Sequence, residues 1–108
     1  MPEDIVIEWE GASGKVYRYW AYSINNFSFK AGPGNYIFAK ETKADTYAPI
    51  YIGQTANLSE RVEAHDNMSC IRLYGATHIH AHRSSGKEEE RTAEETDLIQ
   101  KWHPLCND

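Results

Sequence analysis

Apolar and polar residues alternate over positions 4–10, "DIVIEWE". A two-residue period sends alternate side chains to opposite faces, so this segment predicts a strand. A turn at "GASG" and a second strand at "KVYRYWAYS" make the N-terminus a hairpin. "INNFSFKAGPG" reads as loop, punctuated by Gly32, Pro33 and Gly34. Strands are predicted at "NYIFAKE" and "PIYIGQ", with the polar "TKADTYA" between them. A helix follows over about residues 58–66, where Asn57 and Glu60 have capping-box spacing. "ATHIHAHRS" alternates as a strand. "SSGKEEERTAEETDLIQKW" predicts a helix whose acidic first turns suit the positive end of the helix dipole, and Pro104 stops it. The order predicts an α/β fold: a small mixed, largely antiparallel sheet flanked by helices, with an added N-terminal β-hairpin. Its 108 residues suit one domain. Residues 1–32 form the hairpin extension and 33–107 the core.

Both helices carry a charge on the apolar side. At about 100° per residue, Val62, His65 and Arg61 all fall within about 60° of Leu58. A guanidinium on a packing face needs an anion or several acceptors, because burying it unpaired is costly. In the last helix Glu95 falls in the middle of the stripe formed by Leu98, Ile99 and Trp102, whereas Glu94 points well away. An ion pair with Arg91, four residues earlier, is the structural reading of Glu95. A carboxylate aimed into a site, able to bind a hard cation such as Mg²⁺, is the functional one.

The formal net charge of −5 weighs against broad electrostatic attraction to nucleic acid. The charge is uneven, however. Between Tyr51 and Lys87 the basic Arg61, Arg72, Arg83 and Lys87 face only Glu60, Glu63 and Asp66. The acidic excess sits in the first ten residues and in the run from Glu88 to Asp97, so a neutral or basic face is compatible with an acidic whole. No apolar run reaches the length of a membrane span. Cys70 and Cys106 lie far apart in sequence and outside any metal-type spacing, which suggests reduced thiols and a cytoplasmic protein.

Two tyrosine motifs complete the set. Gly34-Asn35-Tyr36 and Tyr51-Ile52-Gly53, followed by Thr55, Leu58, Arg61 and His65 and then by Glu95, Leu98, Ile99, Pro104 and Asn107, resemble the GIY-YIG endonuclease family over residues 33–107. Asn35 replaces the usual aliphatic residue, and the Tyr36-to-Tyr51 connection is longer than usual, which implies an extended hairpin loop. The resemblance implies a stand-alone, divalent-metal-dependent endonuclease that hydrolyses phosphodiester bonds. Its substrate would be nucleic acid, with DNA favoured over RNA. Glu95 would hold one Mg²⁺ or Mn²⁺ ion, and Arg61 would donate to the phosphate oxygens. Tyr36 would act as general base or water-positioning group, and Tyr51 and His65 would orient water and phosphate. An ordinary tyrosine, with pKa about 10, is a poor base at neutral pH, so Arg61 and the metal would have to favour the phenolate. Gly34 and Gly53 let the backbone pass close to the site, and Asn107 ties the tail to the core. With no zinc finger or long basic helix, sequence specificity should be weak or come from a partner protein or from substrate shape. The alternative is a non-catalytic nucleic-acid-binding or interaction module that keeps the fold.

Other features read as structure. His78, His80 and His82 share one strand face, read as partly exposed. Trp9, Tyr17, Tyr19, Trp20 and Tyr22 read as core aromatics, although aromatics can also stack on unpaired bases. Glu88 to Glu90 read as a solvated helix start.

Overall fold

The computed structural model describes residues 5–61, 67–84 and 86–107, with Arg61 described at the backbone only. Five strands form one sheet: β1 (Ile5–Glu10), β2 (Val16–Ser23), β3 (Gly34–Lys43), β4 (Thr46–Thr55) and β5 (His78–Arg83), in the order β1-β2-β5-β3-β4. Every pairing is antiparallel, so the expected mixed sheet has no parallel pair among the described residues. The reason is topological. β2 and β3 run in the same direction, and β5 returns between them, antiparallel to both. β2 is hydrogen-bonded to β5, so the first two strands are continuous with the rest of the sheet.

The expected loop between β3 and β4 is mostly ladder. Pairing continues to Lys43 and Thr46, with irregularities at Phe38/Ala39 and Glu41/Lys43. Asp45 makes the turn at φ 61°, a left-handed conformation that aspartate tolerates better than most residues.

Each face of the sheet has its own core. On one, Trp9, Tyr19, Ile37, Ala39 and Ile52 pack against Leu98 and Ile99 of the long helix α3 (Glu88–Trp102). On the other, Tyr36, Phe38, Ile50, Ile79 and Ala81 pack against Leu58 of α1 (Leu58–Arg61), Ile71 of α2 (Met68–Leu73) and Cys106 of a 3-10 turn (Leu105–Asn107). α1 begins where the spacing places it. Asn57 Oδ1 accepts from the Ser59 N–H at 3.1 Å and the Ser59 hydroxyl at 2.7 Å, which satisfies a helix-start donor. The rest of the expected helix lies outside the described residues. The sequence pattern did not predict α2, a six-residue helix whose one buried residue is Ile71. α3 ends at Trp102, with His103 left-handed at φ 45° and its N–H bonded to the Ile99 carbonyl at 2.9 Å, just before Pro104.

The reduced-thiol expectation is corrected. Cys70 and Cys106 form a disulfide, because α2 and the 3-10 turn meet with Cα atoms 5.9 Å apart despite a sequence separation of 36. No free cysteine remains among the described residues, so cysteine usage no longer argues for a reducing compartment. Among the described residues no helix is long and apolar enough to cross a membrane.

Candidate functional site at the edge of strand β4

Antiparallel register sets Tyr36 opposite Gly53 and Phe38 opposite Tyr51. The Tyr36 and Tyr51 rings therefore lie on one face, with centroids 6.1 Å apart and planes 21° from parallel. Gly53 is required by this arrangement. A Cβ there would stand 2.6 Å from both Cζ and the hydroxyl oxygen of Tyr36, far inside contact distance. Tyr36 is only 1% exposed, while Tyr51 is half-buried. That burial tells against Tyr36 as the base that meets a solvent water, and leaves Tyr51 as the more accessible phenol.

β4 is an edge strand, and side chains meet its outward groups at Ile52 and Gln54. Asn107 Oδ1 accepts from the Ile52 N–H at 2.9 Å, and Asn107 Nδ2 donates to the Ile52 carbonyl at 2.8 Å. Asn107 thus ties the tail to the Tyr-Ile-Gly strand itself. Two residues on, with the same outward parity, the Gln54 backbone N–H faces Glu95. Burial raises the pKa of the half-buried Glu95 carboxyl, and this N–H partly offsets the rise. The Tyr36 hydroxyl and the Glu95 carboxylate approach the same peptide, Gly53–Gln54, one from the sheet face and the other from its edge.

Gln54 also stands between the two helix charges. Its side-chain carbonyl accepts from Arg91 Nε at 2.9 Å, and Arg91 is buried. Asn35, opposite Gln54, donates from Nδ2 to the Arg91 carbonyl at 3.0 Å. The unusual residue of the first motif therefore pins α3 to β3. Gly34 lies at the start of β3, where a Cβ would strike Leu58 and the His82 carbonyl. α1 thus sits tight against the sheet and carries the Arg61 backbone to this end of it. The Arg61 side chain and the whole of His65 lie outside the described residues. Tyr36, Tyr51, Gly53, Glu95 and Asn107 gather around three consecutive residues of β4.

Polar networks that the pattern did not reveal lie across the α3 face. Glu94 does not point away from the sheet. Its Oε2 accepts from the Tyr19 hydroxyl at 2.6 Å and lies 2.6 Å from His82 Nε2. His82 Nδ1 lies 2.9 Å from the Arg83 carbonyl. Both ring nitrogens thus face acceptors, which suits an imidazolium. Burial alone would lower the His82 pKa, but the hydrogen bond and charge of Glu94 outweigh it and the net shift is upward. Burial, reinforced by Glu94, also raises the Tyr19 hydroxyl well above its usual value.

The partly exposed reading of the histidine face fails at His80, while His78 and His82 are half-buried. His80 is fully buried; its Nδ1 accepts from Trp9 Nε1 at 3.0 Å, and burial pushes its pKa down to about 4. His78 Nδ1 lies 2.8 Å from the Thr77 hydroxyl. Farther along α3, the Asp97 carboxylate accepts from the Ser13 N–H, the Ser13 hydroxyl and the Tyr17 hydroxyl. The two-residue spacings of Tyr17 with Tyr19 and His80 with His82 were the available signal for side chains sharing a face with an acidic helix.

Among the described residues no three His, Cys, Asp or Glu side chains converge as a metal set. Glu95 alone is compatible with Mg²⁺, which keeps several waters and takes one or two carboxylates. No family model, curated protein or solved structure matches the chain.

Proposed function

We propose that the protein is a divalent-metal-dependent endonuclease of the GIY-YIG type, acting at the β4 edge on a nucleic acid, with DNA favoured and substrate shape more important than sequence. The observation that supports this reading is that the Tyr36 ring lies against Gly53 while the half-buried Glu95 meets the next residue, Gln54, from the strand edge. A carboxylate whose negative form is disfavoured by burial gains from a nearby cation. Bound at Glu95, Mg²⁺ or Mn²⁺ would supply phosphate polarisation and charge neutralisation at the leaving oxygen. Arg61 donates to the non-bridging oxygens. Tyr51 orients the attacking water, with His65 assisting at the phosphate. Tyr36 acts from beneath as a positioning residue, its ring seated on Gly53 and stacked beside Tyr51. Asn107 fixes the strand that carries both Tyr51 and Gly53.

The test is cleavage of labelled single-stranded, duplex, nicked and branched DNA, and of RNA, with Mg²⁺ or Mn²⁺, comparing wild type with Glu95→Ala. Metal-dependent cutting that vanishes in the variant supports the reading and names the substrate class. Tyr51→Phe should then slow turnover more than Tyr36→Phe. The second reading, a non-catalytic nucleic-acid-binding module, is favoured by the burial of Tyr36. Under it the well-folded protein retains nucleic acid without metal and cuts nothing.

A further inference from the structure

The face that holds Tyr36 carries a cross-strand row from β2 to β4. Trp20 pairs with Ala81, Ala81 with Tyr36, and Tyr36 with Gly53. Large and small residues alternate along it. Ala81 is too short to fill the space between Trp20 and its neighbours, and a cleft of about 300 Å³ opens there, walled by Trp20, Tyr22, Phe29, Leu58 and Arg83. Trp20, Tyr22 and Phe29 are each half-buried, unlike Trp9 and Tyr19 on the opposite face, which are buried. Tyr22 and Phe29 meet edge to face, with centroids 5.1 Å apart. Arg83 Nη2 donates to the Ala31 carbonyl at 3.1 Å, which holds the guanidinium beside the cleft.

We propose that this cleft is a stacking subsite for one unpaired base of a polynucleotide strand. The inference rests on the nucleic-acid reading above and deepens it by naming the substrate as single-stranded or locally unpaired. Flat aromatic walls match a π-face of any base. A volume at the low end of ligand pockets suits one planar group. A duplex, whose bases are already stacked, does not present one. The charge agrees. Arg83 borders the cleft and Arg72 lies in α2 on the same face, Arg61 is balanced by Glu60 within α1, and the acidic run lies in α3 behind the sheet. Trp20 and Tyr36 lie two strands apart, roughly 10 Å. A base held on Trp20 therefore lies on the same face as the tyrosine pair.

The test is fluorescence-anisotropy binding of a labelled single-stranded 12-mer in EDTA, where no metal-dependent cutting occurs. Its arms are the matching duplex, the same 12-mer made abasic at every position, and a free mononucleotide. The expected result is single strand bound at least ~10-fold tighter than duplex or abasic strand. Trp20→Ala should weaken it ~10-fold or more, as stacking on an aromatic implies, while Trp20→Phe keeps most of the affinity. Equal binding of abasic and normal strands overturns the proposal without relying on any variant's folding, as does absence of single-strand binding. Mononucleotide binding as tight as the 12-mer overturns the polynucleotide assignment. Base-dependent binding with no metal-dependent cutting in a separate assay would sink the nuclease and leave this subsite standing. Cutting with base-independent binding would do the reverse.

Discussion

On the α3 side of the sheet, polar side chains close on one another: Glu94 with Tyr19 and His82, Asp97 with Ser13 and Tyr17, Trp9 with His80. On the other side, rings stand beside small residues, Trp20 and Tyr36 beside Ala81 and Gly53, and an open cleft remains. The contrast separates perturbed chemistry from available chemistry. Tyr19 and His80 are among the most strongly shifted groups and are fully buried, so their shifts report packing. Glu95 is shifted by burial yet only half-buried, and it lies where the two regions meet at the β4 edge.

The sharpest way to break the comparison is Glu95→Gln. Cleavage should fall at least ~10³-fold, about 4 kcal/mol of barrier. Thermal stability at pH 8 should hold or rise, because a raised carboxyl pKa means that ionisation costs stability and the amide removes that cost. A Tm lowered by several degrees would instead make Glu95 a structural residue of the α3 side. Next comes the cross-link beneath the tyrosine face. Cys70→Ser should cost about 3–4 kcal/mol in denaturant unfolding, given the 36-residue separation. The same dithiol treatment should then destabilise wild type and leave the variant unmoved.

On the α3 side, Glu94→Gln should cost about 3 kcal/mol below pH 6.5, where His82 is protonated, since it strips the partner from a mostly buried imidazolium. The two histidines should also respond to pH with opposite signs. The raised His82 pKa contributes stability fully below its ordinary 6.5, and that contribution is lost as pH climbs through the raised value. His80, depressed to about 4, refuses a proton that the unfolded chain accepts, so stability falls as pH drops from 6.5 toward 4. Urea midpoints across pH should show both limbs, with His82→Gln flattening the alkaline one. The smallest expected effect is Asn107→Ala, about 1–2 kcal/mol for two lost backbone bonds. Faster hydrogen exchange at the Ile52 amide would report it locally.

Helical spacing alone made the inward turn of Glu95 legible, alternation placed β1 and β5, and strand-like runs between turn signals placed β2, β3 and β4. Glu94 was misjudged because a helical wheel assumes one flat surface below the helix. A twisted sheet also reaches the flank of α3, where Tyr19 and His82 wait. The disulfide was illegible for another reason. It depends on α2 and the C-terminal turn meeting in space, and neither element has a periodic signature in so few residues. The cleft was hidden because Trp20 and Tyr22 read as core aromatics until the register set Ala81 beside Trp20.

Asn107 occupies the place of a sixth strand. Its carboxamide offers Ile52 the donor and acceptor that a neighbouring chain would otherwise provide. An uncovered strand edge is a template for pairing with another molecule. One side chain therefore guards against the zippering of two copies along β4. Losing it would expose the protein to assembly, and the stretch released first would be the one that carries Tyr51.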